Sequence, residues 1–487
     1  MGDAEQGPAP ANSPLRDEVE MRILLIAYEF PPSPSPQSLR WAYLGRALVR
    51  AGHEVHVLTT EPVWTVAGLP DLPEQMRVHR VSGGPIANVM AMLARRQEAR
   101  MRVGEVEVPV VPDTAAVSPA AEAAAPSALP MVALRESRLN WKGRLVEQFK
   151  RVAMAFLFPD TRGEWYFPAR KVLDRLVREI RPDVVVSSHE PATTLELGIY
   201  LKRRHGIPWL ADLGDPVLAD YTPKRWRRRA FRVERRVMAL ADGITVTAPG
   251  TRRLLIERHG LPAAGEEGIA VLPQGFDDQG GSSVIQSSGF FDGERLELLY
   301  TGSFYQFRRP DALIAAVMAV PGVRLSVASS VIPDWLRPRF ESQPEKFRLL
   351  GFMPHFGVLA LQRNADVLVN IANDNPCQVP GKVYEYLGAR RPILHTGNVV
   401  DEDVSATLIR ERRRGWICAD QGATETLLRT LVARKRTGQL DAEDLDLGEQ
   451  AVAEFGWSRL AQRLAAMLAR LAESGRVSSG IPAGQRY

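Results

Sequence analysis

Short apolar runs alternate with helix-patterned segments along most of the chain, and this alternation limits the fold more than any other feature. Residues 21–28, MRILLIAY, are apolar almost without interruption, which is typical of a central parallel strand covered on both faces. A loop over 29–38 and a helix-patterned segment over 39–51 follow, and residues 54–59, EVHVLT, form the next apolar run. Strand, loop, helix and strand in this order predict a parallel βαβ unit and an α/β fold class.

The alternation continues beyond residue 158 and begins again near residue 296. Strand patterns occupy 183–188, 208–213, 243–248 and 269–275 in the first series, and 296–300, 323–328, 347–350, 367–371, 393–395 and 415–418 in the second. A Gly/Ser-rich stretch over 279–289 separates the two series. The sequence therefore predicts two doubly wound domains, 21–275 and 276–455, followed by a terminal segment over 456–487. Folds of this kind bind ligands at the carboxyl edge of the sheet.

Two segments do not follow the pattern. Residues 1–20 are rich in Pro, Ala and acidic side chains, and predict a disordered leader. Residues 83–158 are largely Ala/Pro-rich and predict a partly disordered insertion in the first domain. The end of this insertion, 141–158, has an apolar stripe with basic residues beside it. Two interpretations stay open for it: a helix lying on an anionic membrane, or a core-facing helix with a solvated basic side.

Composition excludes several classes of protein. A net charge of +5 on 487 residues gives no reason to expect a nucleic-acid binder, although local basic clusters can still bind phosphate or anionic lipid. The two cysteines, Cys377 and Cys418, form neither a metal-ligand spacing nor a disulfide framework, as expected in a reducing compartment. No apolar run reaches the roughly 18 residues of a membrane span, and the N-terminus does not resemble a signal peptide. We therefore expect a cytoplasmic protein.

Residues 373–392, NDNPCQVPGKVYEYLGARRP, predict a nucleotide diphosphate site. The Pro-Gly pair is a turn signal, and the apolar spacing after it places Gly381 and Lys382 at the N-terminus of a helix. A helix N-terminus attracts phosphate, and a lysine there adds a full charge. Glu385 follows one turn later, where its carboxylate can accept hydrogen bonds from the hydroxyls of a ribose.

Other candidates lie at predicted strand ends. The loop after 296–300 contains Gly302 and, further on, Arg308, which is suited to a diphosphate. In the first domain, His189 and Asp215 follow two neighbouring strand patterns, and either can be structural instead. The acidic triplet 401–403 resembles a metal motif, but its position after a strand favours the start of a helix. No Gly-x-Gly-x-x-Gly opens either domain, which argues against a dehydrogenase.

The chain resembles the GT-B glycosyltransferases, in particular the large retaining family 4 group, over nearly all of residues 21–470. Five segments carry the resemblance: MRILLIAYEFPP with GHEVHVLTT; VLPQGFDD; YTGSFYQFRRP; RLLGFMPHFGVLALQRNADVLVNIA; and GKVYEYLGARRPIL. The resemblance implies two Rossmann-like domains facing across a cleft, and a terminal helix that returns to the first domain. Its "PxKxxEY" pattern is similar to one branch of the family.

The resemblance also implies an activity, namely transfer of a sugar from a nucleotide sugar to an acceptor hydroxyl with retention, without a metal or other cofactor. Gly302, Ser303 and Arg308 would meet the diphosphate together with Gly381 and Lys382. Backbone groups at Phe352 and Met353 would meet the base, Glu385 the ribose, and His189 or Asp215 the acceptor. A glycan or lipid-linked acceptor in surface polysaccharide or glycoconjugate biosynthesis follows as an expectation. Contact with an anionic membrane from the cytoplasmic side is a separate expectation, which comes from the 83–158 region.

Three positions depart from the usual family pattern. Cys377 stands where the first of two paired glutamates is common, Ser303 where an arginine is usual, and Gly214 where the first-domain histidine would fall. These departures keep an inactive homologue acting as a partner subunit among the alternatives. A nucleotide-sugar epimerase, which shares the two-domain plan, is the other alternative.

Overall fold

The computed structural model describes residues 21–62, 69–89, 92, 158, 161–219, 222–279, 290–304, 308–329, 331–373, 379–397, 403–440 and 444–479. The predicted leader 1–20, nearly all of the insertion 83–158, and Cys377 lie outside these residues. The residue-level domain boundaries stay predictions.

The first part of the described chain forms a parallel sheet with the strand order β3-β2-β1-β4-β5-β6-β7. Its strands are β1 (Arg22–Ala27), β2 (Glu54–Thr60), β3 (Arg77–Val81), β4 (Val184–His189), β5 (Trp209–Leu213), β6 (Gly243–Val246) and β7 (Ile269–Val271). The helices around it are α1 (Pro36–Arg50), α2 (Tyr166–Ile180), α3 (Ala192–His205), α4 (Arg227–Leu240) and α5 (Pro249–His259). Short 3-10 turns cover Thr161–Trp165 and Glu266–Gly268.

The second part forms another parallel sheet, with the order β10-β9-β8-β11-β12-β13. Its strands are β8 (Leu296–Thr301), β9 (Val323–Ala328), β10 (Phe347–Leu349), β11 (Val367–Ile371), β12 (Ile393–Thr396) and β13 (Gly415–Cys418). The helices are α6 (Asp311–Ala319), α7 (Arg337–Glu341), α8 (His355–Asn364), α9 (Gly381–Gly388), α10 (Val404–Glu411) and α11 (Gln421–Arg436), followed by a 3-10 turn at Gln450–Phe455 and by α12 (Trp457–Ser479).

Strand order locates the binding edges. In both sheets the chain moves outward from the first strand, returns to its other side, and continues in the opposite direction. The topology therefore reverses between β1 and β4, and again between β8 and β11, and ligands of doubly wound folds bind outside the carboxyl ends of such strand pairs. The prediction of two doubly wound units is confirmed.

Burial explains why the strands are apolar without interruption. Successive side chains of a strand point to opposite faces. In β1, Leu24 and Ile26 pack with α2, α3 and α4, whereas Ile23 and Leu25 pack with α1 and α12 on the other face. Both faces of β1 are covered, so apolar side chains are favoured at all four of these positions.

Helix α12 confirms the expected return to the first sheet. The backbone of Phe276 exchanges hydrogen bonds with that of Phe455 and Trp457 at 3.1 and 3.0 Å. Leu460 and Leu464 of α12 are then fully buried beside the first sheet. The C-terminal end of the chain thus completes the core of the N-terminal part.

Two details of the sequence-based prediction are corrected. Strand β3 was not predicted, because its sequence RVHRV at the sheet edge is partly exposed and contains no apolar run. The strand predicted over 269–275 ends at Val271, because the buried guanidinium of Arg40 binds the carbonyls of Leu272 and Pro273 at 3.0 and 2.8 Å. Among the helices that the structure describes, none is long and apolar enough to cross a membrane.

Candidate nucleotide-sugar site

Gly302 opens the loop at the carboxyl end of β8. Its φ of 107° is a conformation that L side chains rarely adopt, so the sharp turn after the strand explains the glycine. A Cβ placed there would lie 3.7 Å from Lys382 Cδ, an ordinary contact distance. The turn therefore brings the loop directly beside the lysine at the start of α9, as the sequence predicted.

Arg308 is held by three groups at this edge. Its Nε donates to Asn373 Oδ1 at 2.8 Å, and one terminal nitrogen lies 3.1 Å from the carbonyl of Ser303 and 3.4 Å from Tyr300 Oη. Only 8% of the residue is exposed. The Ser303 carbonyl also accepts a hydrogen bond from the Tyr300 hydroxyl at 2.9 Å. In this structure Ser303 therefore orients Arg308 through its backbone carbonyl. The guanidinium is a charge in a fixed position.

Lys382 lies one residue inside helix α9, and although the residue is partly exposed, its Nζ is buried. Its Nζ has no hydrogen-bond partner among the described residues, and it lies 3.7 Å from the centre of the Tyr300 ring. Burial, and secondarily the positive charge of Arg308, lowers the pKa of Lys382 well below its usual value, while Glu385 opposes the shift. These surroundings favour the neutral amine more than water does, and the full charge expected on this lysine stays a prediction.

The N-terminus of α9 adds backbone donors to the same place. The helix begins at Gly381 after Pro380, and no side chain caps it. Unpaired N–H groups at such an end favour an anion. The predicted helix start at Gly381 and Lys382 is confirmed in detail.

Glu385 lies one turn further along α9 and is partly exposed. Its Oε2 accepts a hydrogen bond from Gln362 Nε2 of helix α8 at 3.2 Å. This contact orients the carboxylate beside the loop that contains Gly302, since Gln362 also donates to Thr301 Oγ1 at 3.3 Å. The contact of Glu385 with the ribose stays a prediction.

Phe352 and Met353 occupy the loop between β10 and α8. Phe352 is 52% exposed, which is unusual for a large apolar side chain, whereas Met353 packs against the core beneath α9. Their loop leads directly into the helix that supplies Gln362. Their predicted contact with the base stays a prediction.

His189 and Asp215 lie at the carboxyl edge of the first sheet. His189 ends β4 and is buried, and neither ring nitrogen has a hydrogen-bond partner among the described residues. Burial lowers its pKa, opposed in part by Glu190, so the imidazole is neutral at physiological pH. Asp215 lies two residues beyond β5 and is partly exposed. A Cβ on Gly214 would lie 3.4 Å from the His189 carbonyl, which shows how closely the two strand ends approach.

Contacts between the two parts of the chain place the two edges next to each other. Tyr43 Oη of α1 lies 3.1 Å from His355 Nε2, at the start of α8. The side chain of Gln274, which follows the first sheet, lies 3.6 Å from where a Cβ of Gly381 would be. The structure therefore brings the Gly302 loop, Arg308 and the start of α9 together as one cluster, and His189 with the 214–215 loop as another. It shows no contact of Phe352 with the first cluster among the described residues.

Several residues of the site were not predicted. Asn373 and Tyr300 orient Arg308, and Gln362 orients Glu385. Asn373 and Gln362 are 65 and 23 residues away from the residues they contact, whereas Tyr300 is eight residues before Arg308. The only sequence pattern that indicates such residues is a polar side chain at the end of a strand, as for Asn373 after β11. Asp403 behaves as expected: it caps α10 by accepting from Ala406 N at 3.0 Å. In the described part of the chain, no cluster of three or more His, Cys, Asp or Glu side chains could hold a metal.

Comparison with known proteins agrees with this geometry. Residues 127–279 match the model of Glycosyltransferase Family 4. Sucrose-phosphate synthase from Thermosynechococcus elongatus is 14% identical, with a TM-score of 0.60 over 93% of this chain and 100% of that one. Anabaena HepE in complex with UDP-glucose is 12% identical, with a TM-score of 0.55 over 93% and 100%. The chain has the GT-B fold.

The recognition of a GT-B chain similar to glycosyltransferase family 4 is therefore confirmed, while its assignment to the "PxKxxEY" branch stays a prediction. At these identities the structural likeness establishes the fold alone. A putative UDP-N-acetylglucosamine 2-epimerase from Listeria monocytogenes, 11% identical, shares this GT-B fold with a TM-score of 0.51 over 93% of this chain and 98% of that one. No curated protein matches the chain.

Proposed function

We propose that this GT-B chain is a glycosyltransferase that moves a sugar from a nucleotide-diphosphate sugar to an acceptor hydroxyl. One observation carries the proposal: the buried Lys382 amine has no hydrogen-bond partner among the described residues, and it lies beside Arg308 and an uncapped helix N-terminus. A buried, unpaired amine is costly in a folded protein. A diphosphate would supply its missing acceptor, and Glu385 one turn away would accept the ribose hydroxyls.

The chemistry follows from where charge develops. When the bond between the sugar and the diphosphate breaks, negative charge grows on the departing phosphate oxygens. Arg308, Lys382 and the N–H groups of α9 are preorganised to stabilise that charge, so the leaving group departs without water having to reorganise. These groups perform the part that a divalent cation performs elsewhere, and we propose that no metal is required.

The first-domain edge would bind the acceptor. His189 is buried with a neutral imidazole, and Asp215 lies on the neighbouring strand end. Either group could accept a hydrogen bond from the acceptor hydroxyl and orient it towards the sugar. We propose retention at the anomeric carbon from the family resemblance. NMR of the anomer first formed during slow hydrolysis of the donor would test it.

Contact with an anionic membrane is also part of the proposal, as is a role in surface polysaccharide or glycoconjugate synthesis at the cytoplasmic face. The exposed side chains of α4 and the turn before it support membrane contact, because six of them are cationic: Lys224, Arg225, Arg227, Arg228, Arg232 and Arg235. Each such residue adds roughly 1 kcal/mol of attraction to an anionic bilayer. The segment 141–158, for which a helix lying on an anionic membrane was one of two open interpretations, lies outside the described residues except for residue 158.

Vesicle binding tests the membrane contact. We expect co-sedimentation with phosphatidylglycerol vesicles at low salt, none with phosphatidylcholine vesicles, and loss in Arg228→Glu/Arg232→Glu. The matched control is Arg410→Glu/Arg436→Glu, which reverses two exposed charges of the second domain. Equal vesicle binding by the two double variants would contradict the assignment of membrane contact to the basic side chains of α4.

Calorimetry and thermal shift with UDP, GDP, dTDP and ADP, without metal and with EDTA, test the main proposal. We expect one nucleotide to bind tightly, and Glu385→Ala and Lys382→Ala to lose that binding. Glu473→Ala, an exposed change on α12, is the control. Binding of none of these nucleotides would favour an inactive partner subunit. Interconversion of the donor's sugar without an acceptor would favour an epimerase.

A further inference from the structure

Gln362 is a buried polar residue between two parts of the proposed site. It lies near the end of helix α8, and no part of it is exposed. Its Nε2 is 3.2 Å from Glu385 Oε2 on α9 and 3.3 Å from Thr301 Oγ1 at the end of β8. One amide group therefore joins the carboxylate to the strand from which the Gly302 loop begins.

The chemistry of the two partners determines how the amide is oriented. An ionised carboxylate can only accept hydrogen bonds, so the group that faces Glu385 must be the NH₂. The amide has two N–H bonds, one for each partner. Tyr386 Oη completes the network, since it lies 3.0 Å from both the backbone N and the Oγ1 of Thr301. The amide cannot turn without breaking both of its contacts.

We propose that Gln362 is a positioning residue that makes the site specific for ribonucleotides. It orients the Glu385 carboxylate so that the carboxylate can accept hydrogen bonds from the ribose hydroxyls. Gln362 itself does not contact the nucleotide. This proposal rests on the proposed function, because it takes Glu385 to be the ribose acceptor.

A purely structural role makes a different prediction. If Gln362 only fills space and stabilises α8, its replacement would weaken the binding of all nucleotides by the same factor. A glutamine that orients the carboxylate affects only ligands that have the hydroxyls. The discriminating quantity is therefore the ratio of the dissociation constants of UDP and 2′,3′-dideoxy-UDP, or of the pair with whichever base binds.

The experiment measures this ratio by calorimetry in wild type, Gln362→Met and Gln362→Glu. We expect wild type to prefer the ribonucleotide by roughly tenfold or more, as a hydrogen bond to a charged group allows. Gln362→Met should reduce the preference to within about threefold, with unchanged affinity for the dideoxynucleotide. Gln362→Glu places a second carboxylate against Glu385 and should abolish the preference as well. Gln439→Met, an exposed change, should behave as wild type.

The outcomes separate this inference from the proposed function. If Gln362→Met or Gln362→Glu keeps the full preference for the ribonucleotide, the inference about Gln362 is overturned, whereas the proposed nucleotide site is unaffected. Absence of nucleotide binding in wild type, or unchanged binding in Glu385→Gln, overturns both. If Gln362→Met does not fold, Thr301→Val removes the other contact of the amide. The inference then requires that this variant reduce the ribose preference and spare the dideoxynucleotide, and an unchanged preference overturns it.

Discussion

The Lys382 amine lies 3.7 Å from the centre of the Tyr300 ring, and no described residue accepts a hydrogen bond from it. The ring covers the amine on one side, while Arg308, whose position is fixed by Asn373 and Ser303, adds positive charge nearby. Burial and the charge of Arg308 disfavour a protonated lysine in the absence of an anion, although the ring face itself attracts a cation. It is the property expected of a group that binds phosphate.

Replacement of Lys382 by Met should stabilise the protein without nucleotide. Removing a buried unpaired polar group is expected to raise the free energy of unfolding by roughly 1 kcal/mol at pH 7. The pKa is lowered in the folded state from 10.5, so between the lowered value and 10.5 the unfolded chain binds more protons and stability rises with pH. The variant should therefore show a smaller rise towards pH 10 in urea denaturation. An identical slope in both proteins would contradict the burial of an unprotonated amine.

Binding of a nucleoside diphosphate should take up protons. The phosphate charge raises the pKa of Lys382, so the bound state binds more protons than the free state and affinity falls as pH rises. Calorimetry at pH 8 in HEPES and in Tris, whose ionisation enthalpies differ, should give an uptake of up to about one proton. Lys171→Met, an exposed change, should keep the uptake, and Lys382→Met should abolish it. Equal apparent enthalpies for wild type in both buffers would argue against this coupling.

His189 should stay neutral down to an unusually low pH. Burial lowers its pKa from 6.5, so stability contributed by the neutral ring is present above pH 6.5 and is lost as pH falls towards the folded-state pKa. NMR of the His189 ring should show no titration near 6.5. His189→Asn should flatten the stability profile between about pH 5 and 7. Ordinary titration of His189 would contradict its burial.

The ion pair between Arg40 and Asp212 should link the stability of the first sheet to that of Leu272 and Pro273, the residues that follow β7. Both side chains are at most 2% exposed, and Arg40 also binds the carbonyls of Leu272 and Pro273. Removing one partner leaves a buried charge, so Arg40→Met or Asp212→Asn should each cost about 3–5 kcal/mol of unfolding free energy. The double variant should cost less than the sum of the two. A strictly additive double-mutant cycle would show that the pair does not interact.

Most strands could be predicted from the sequence alone, because a strand covered on both faces is apolar at most positions. The runs in β1, β4 and β11 were found to within one or two residues for this reason. Strand β3 could not be predicted in this way, since an edge strand that is partly exposed tolerates Arg and His. The pairing of α12 with the first sheet was expected from family resemblance, and no local pattern at Trp457 indicates its partner.

The sequence by itself determined the turn, the helix start and the order of Gly381, Lys382 and Glu385, because these depend on residues within one helical turn. Only the tertiary structure decided what surrounds them. Burial and the charge of Arg308 lower the pKa of Lys382, the Tyr300 ring of β8 covers its amine, and Gln362 from α8 orients Glu385. Burial and electrostatics depend on which distant segments meet, and segments separated by tens of residues meet only when the sheet forms.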